Sequence, residues 1–139
     1  MHYEPQTFHH ASLLHTRADR GYCAVYMRSA DADMTDNRKL VYISQPYGGK
    51  PENSDRAQKT LLTLNEFYPQ YDFISPIVAY GFAYNTYSYE VGMRMCITLL
   101  AHCDEIWICN DNGESKGVKI EREWAQKNGM PIREDGCVD

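Results

Sequence analysis

The sequence predicts an α/β fold, a single domain built as a three-layer sandwich around a mostly parallel sheet of four or five strands. Three observations carry this expectation. Short apolar runs rich in Val, Ile, Tyr and Trp recur between longer segments of helical period, giving the order βαβαβαβ from Lys39 onwards. The run "LVYIS", Leu40 to Ser44, is apolar on successive residues, as a strand of a parallel sheet covered on both faces must be. Glycines or asparagines stand in the turns that join these segments.

The elements follow in order. Residues up to about 20 show no sustained period, "GYCAVYMRS" (Gly21 to Ser29) reads as an edge strand, and "ADADMTDNR" is a polar connector. Residues 1–38 therefore form an N-terminal arm ahead of a domain over 39–139. The strand Leu40 to Ser44 stops at Gln45-Pro46 and opens into a Gly-Gly loop. Ala57, Leu61, Leu64 and Tyr68 are spaced as one helical face over Glu52 to Tyr68, with Pro51 near the first turn and Asn53 or Ser54 as the cap. "YDFISPIVAY" supplies a second strand that ends at Ser75-Pro76. The loop after it, "YGFAYNTYSYE", holds Tyr80, Tyr84, Tyr87 and Tyr89. "VGMRMCITLLAHC" is a helix packed against the sheet, with Arg94, Thr98 and His102 as a narrow polar strip. "DEIWICN" is a third strand, Lys116 to Asn128 a helix stopped by Gly129, and "MPIRE" a fourth strand. Helices on both faces of a parallel sheet make the sandwich Rossmann-like or flavodoxin-like.

Composition narrows the partners. A formal charge of −5 argues against a nucleic-acid polymer, which calls for a basic patch, but leaves a single nucleotide open. No run approaches the ~18 apolar residues of a membrane span, and the N-terminus lacks the layout of a signal peptide, so a cytoplasmic protein with no membrane partner is expected. The five cysteines, Cys23, Cys96, Cys103, Cys109 and Cys137, include no CxxC pair and read as reduced, mostly buried thiols. His9, His10 and His15 have no matching Cys or acidic spacing, so neither a metal nor a cofactor is expected.

In a sheet of this kind ligands sit at the C-terminal strand ends. That rule selects three loops, Ser44 to Asn53, Pro76 to Tyr89 and Asn110 to Gly117. "QPYGGKPENS" offers glycines and a helix start suited to an anion, though a plain tight turn fits it equally. Ser115 and Gly117 open the last helix, and on a helical wheel Glu121 falls in the middle of the apolar arc of Val118, Ile120, Trp124 and Ala125. An acid that only complemented the helix dipole would face solvent. Burying it costs several kcal/mol unless partners hold it. The tyrosines suit stacking on a flat ring, a lid, or a contact between copies of the chain. Arg56 and Arg94 are candidate anion partners.

The succession "VYISQPYGG", "ISPIVAY", "CDEIWICND" and "SKGVKIEREWAQKNGMPI" resembles the nucleoside 2-deoxyribosyltransferase superfamily, in particular a branch of short uncharacterised bacterial and phage proteins, over about Lys39 to Ile132. The serine at position 115 is similar to that of the deoxynucleoside-monophosphate N-glycosidases. The resemblance implies an N-glycosidase or 2-deoxyribosyltransferase, that is, a hydrolase or transferase in which Glu121 attacks C1′ of the sugar and Tyr42 hydrogen-bonds near it. It further implies that Ser115 and Gly117 face the 5′ end of a nucleoside or its phosphate. Ser44, Gln45, Tyr47, Gly48, Gly49, Arg56 and Tyr84 complete the expected binding set. A homodimer or higher homo-oligomer is implied as well. The sequence departs from the family at Cys96, where an aspartate is usual, with Glu90 or Asp111 as substitutes, and at Gln45-Pro46, where active relatives have a glycine. These departures keep a second function class open, a module that binds a nucleotide or nucleotide-derived signal without turnover.

Overall fold

The computed structural model describes residues 38–134 and Cys137. Apart from Arg38, the expected arm, its strand at Gly21 to Ser29, Cys23 and the three N-terminal histidines fall outside these residues.

Four parallel strands form one sheet: β1 (Lys39–Ser44), β2 (Tyr71–Ile74), β3 (Glu105–Ile108) and β4 (Ile132–Arg133), in the order β2-β1-β3-β4. Between them run α1 (Pro51–Phe67), α2 (Pro76–Tyr80), α3 (Tyr89–Ala101) and α4 (Lys116–Lys127), with a 3-10 turn at Gly81–Ala83. The α/β sandwich expected from the strand and helix alternation is therefore present. Strand alternation divides its core in two. Val41, Ile43, Trp107 and Cys109 point to the side where Leu61 and Leu64 of α1 cover them. Tyr42, Ile106 and Ile108 point to the other side, against Leu100 of α3 and Val118 and Ala125 of α4.

Local chemistry sets the helix boundaries, and it differs in two places from the sequence expectation. Asn53 and Ser54 lie inside α1 rather than capping it. Lys50 is the N-cap without a side-chain bond, and Asn53 instead donates to the Tyr47 carbonyl at 2.7 Å, tying the Gly-Gly loop to the helix. Pro76–Tyr80, expected to be strand and loop, is the helix α2. Ser75 caps it through the Val78 N–H and Pro76 occupies the first helical position, so the dipeptide that ends the strand also starts a helix.

Two cysteines depart from the reduced reading. Cys109 at the end of β3 is disulfide-bonded to Cys137, with Cα atoms 5.6 Å apart, whereas Cys96 and Cys103 are free thiols. Their sequence separation of 28 left no pattern by which the pair stood out. No helix among the described residues is long and apolar enough to cross a membrane.

Candidate functional site

Strand order reverses at β1: its connection through α1 leads to β2 on one side, and the later connection leads to β3 on the other. That switch point opens a crevice at the carboxyl ends of β1 and β3. A cavity of about 740 Å³ lies there, bounded by the loop after β1, the segment from Pro76 to Met93, and the loop into α4. All three loops selected from the sequence contribute to it.

Glu121 is at its floor. Val118, Glu121 and Ala125 are spaced as one buried face of α4, and Glu121 keeps only 5% of its surface. Tyr42 and Ser44, two residues apart on β1, project from the same face of the sheet and both reach this carboxylate. The Tyr42 hydroxyl donates to Oε2 and the Ser44 hydroxyl to Oε1, each at 2.5 Å. Two charge-assisted bonds offset part of the cost of burial. Burial nevertheless dominates and raises the Glu121 carboxyl from 4.5 to about 6, with Ser44 and then Tyr42 pulling it back. The group is ionised at neutral pH, in a site that resists its charge.

That resistance predicts a pH-dependent stability. The folded chain binds this proton more tightly than the unfolded chain, so stability falls as pH rises from about 4.5 through about 6, by about 2 kcal/mol in total. Glu121→Gln is therefore expected to be up to about 2 kcal/mol more stable than the parent in urea unfolding at pH 8, with the advantage gone near pH 4.5. A variant no more stable than the parent at pH 8 would show that the hydrogen bonds, not desolvation, dominate.

The surroundings of Glu121 are weakly acidic hydroxyls and a thiol. Burial, the Glu121 charge and the neighbouring Cys96 push the Tyr42 phenol well above its ordinary range. Cys96 is pushed up to about 11, first by burial and then by Glu121, so it is a neutral thiol. Tyr89 is raised by burial first and by Glu121 next, and its hydroxyl lies 3.8 Å from where a Cβ on Gly117 would stand. Lys116 reaches over its ring at 5.4 Å.

The expected site residues separate into three groups. Gln45, Tyr47, Gly48, Arg56, Tyr84, Ser115, Gly117 and Glu121 line the cavity. Tyr42 and Ser44 lie behind it, fully buried, so in this structure Ser44 holds the carboxylate instead of meeting a ligand. Gly49 is outside the lining. Its φ is +73° and the Tyr84 ring rests on it, 2.5 Å from the position a Cβ would take, while Tyr47 stands edge-on to Tyr84 with centroids 5.0 Å apart. Gly49→Ala is expected to lose about 1–2 kcal/mol in urea unfolding through left-handed strain and to push Tyr84 off its seat. The Ser115 hydroxyl also caps α4, accepting the Val118 N–H at 3.3 Å. Neither proposed substitute for the family aspartate reaches the crevice. Asp111 is paired with Arg122 at 3.2 Å, and Glu90 is exposed on the first turn of α3 outside the lining. Arg94 is exposed too and lies outside the lining.

Lys50, Lys116 and Asn110 line the cavity as members of the selected loops, although the sequence did not single them out as site residues. Asn110 adopts φ +57°, a conformation Asn tolerates better than most residues, and its place in the turn-rich "NDNG" was the available signal. Its Oδ1 accepts from Gln45 Nε2 at 2.9 Å, and the same nitrogen donates to Thr60 at 3.0 Å. Both Nε2 protons are thus spent, and the buried Gln45 Oε1 has no partner among the described residues.

One family model matches the chain, over residues 39–135; it is described as a domain of unknown function, DUF7768. No curated protein matches.

Proposed function

Because the chain belongs to the DUF7768 family, whose description names no activity, its function is read from its own site, and we propose that it binds a nucleoside or nucleotide and cleaves or transfers its N-glycosidic bond. The observation that supports this reading is the Glu121 carboxylate, buried at the base of the crevice with both oxygens fixed by hydroxyls. A carboxylate so held is oriented for attack on an electrophilic sugar carbon, and its burial removes the water that would otherwise solvate its charge. Its oxygen would form a bond to C1′ as the C1′–N bond breaks and the electron pair leaves with the base; water or a second base would then resolve the sugar ester. Tyr47, Tyr80, Tyr84, Tyr87 and Tyr89 supply aromatic surface around the same cavity for a flat ring.

Cys96 favours a second reading. A neutral thiol raised to about 11 is a poor donor of a proton to a leaving base, which suits a site that holds its ligand without turnover. Incubation with the four deoxynucleosides and their 5′-monophosphates, with free base followed by chromatography, decides between the two. Release of base carries the glycosidase reading. A raised melting temperature without release carries the binding module. We also propose that the chain forms homo-oligomers, supported by the exposed aromatic side chains of Phe82 and Tyr87; light scattering that returned a monomer at micromolar concentration would count against it.

A further inference from the structure

The crevice carries three cations, Lys50, Arg56 and Lys116, and none of them forms an ion pair among the described residues. The same lining holds two acids, Glu114 and Glu121, so the crevice carries a slight excess of positive charge in a chain of net charge −5. Arg56 is the most informative. Glu52 precedes it by four residues, on the same face of α1, whereas the adjacent Asp55 points to another face. It pairs with neither. Its Nη1 instead donates to Oδ1 of the neutral Asn53 at 3.3 Å, and the Nδ2 of Asn53 is anchored on the Tyr47 carbonyl at 2.7 Å. The guanidinium is thereby drawn back along α1 toward Lys50, the N-cap that no side chain caps.

This pair lies on one side of the sheet and Lys116 on the other, because α1 covers the Val41, Ile43 and Trp107 face while α4 covers the Tyr42, Ile106 and Ile108 face. The cations therefore approach the crevice from opposite faces of the sheet, an arrangement that suits two phosphoryl groups better than one. A second cavity, of about 680 Å³, is lined by Arg56, Asn110, Lys59, Thr60 and Thr63 together with Glu52 and Asp55, so Arg56 and Asn110 border both spaces.

We propose that Lys50 and Arg56 form an anion subsite for a phosphoryl group separate from any held at Ser115 and Gly117, so that the preferred ligand is a nucleotide with two separate phosphoryl groups. The proposal rests on the nucleoside reading for the rest of the ligand. The unpaired guanidinium supplies a fork of donors matched to phosphoryl oxygens, the ammonium adds a mobile point charge, and the helix start contributes its positive dipole end. Together they counter the repulsion an anionic ligand meets from the net charge of the chain.

Calorimetric titration of the full chain with the four deoxynucleosides, their 5′-monophosphates, their 3′,5′-bisphosphates and inorganic pyrophosphate tests this. The bisphosphate of the favoured base is expected to bind about tenfold or more tightly than its 5′-monophosphate at low salt. That ratio should shrink in Arg56→Ala and in Lys50→Ala, and persist in Lys119→Ala, which removes the same charge from an exposed position on α4 outside the crevice. Equal affinities for bis- and monophosphate, or a ratio that survives both crevice substitutions, would overturn the subsite while leaving the nucleoside reading in place. Binding of pyrophosphate alone, lost in Arg56→Ala, would keep the subsite and overturn the nucleoside reading. No binding of any probe would overturn both.

Discussion

Glu121→Gln is expected to reduce release of free base by on the order of 10³-fold or more, with the nucleoside still bound. The substitution keeps the size of the side chain and its place on α4 but replaces the attacking carboxylate oxygen by an amide, which does not form the sugar ester. Because the carboxylate is the attacking form, activity of the parent should rise with pH through about 6, where Glu121 loses its proton. Tyr42→Phe then gives an independent reading. It removes a hydrogen bond that favours the ionised form, so the acidic limb should move to higher pH while some activity remains. Base release unchanged in Glu121→Gln would remove Glu121 from the chemistry. An acidic limb unmoved by Tyr42→Phe would show that Glu121 does not set the pH profile.

The largest loss of stability is expected at Trp107. Its side chain is fully buried on β3, and Tyr68, Phe73 and Tyr71 meet it edge-on at centroid distances of 5.0, 5.2 and 5.4 Å. The Arg133 guanidinium covers its ring at 4.3 Å, and its indole N–H donates to Glu105 at 2.8 Å. Trp107→Ala removes the piece that α1, β2 and β4 all rest on, leaves a cavity rimmed by rings that cannot close over it, and should cost about 3–5 kcal/mol in urea unfolding. Arg133 would lose its aromatic platform at the same time. A loss below about 1 kcal/mol would mean that the aromatic cluster is not the centre of this face of the core.

How far the sequence reaches can be judged residue by residue. The periodicity of "VKIEREWA" turned Glu121 inward before any neighbour was known, since a helical face depends only on local spacing. The alternation of strands and helices gave the parallel sheet for the same reason, and the strand-end rule gave the three loops. Other features depend on contacts far apart in the chain. Ser44 was expected at the ligand and instead holds Glu121, 77 residues away, because only the packing of α4 on β1 decides what lies above a strand residue. Gly49 was expected to touch the ligand and instead seats Tyr84, a choice made by how two loops meet.

What the sequence by itself determined was therefore what local period carries: the alternation of the four strands with the three longer helices, the inward carboxylate and the loops that line the crevice. The tertiary structure decided the rest: which hydroxyls meet the carboxylate, which glycine lies beneath a ring, that Cys109 meets Cys137, and that Arg56 lines the crevice and bonds Asn53 instead of Glu52. The physical reason is range. Helix and strand periods are set within a few residues, whereas the partners of a buried charge are fixed by which faces of distant elements are pressed together.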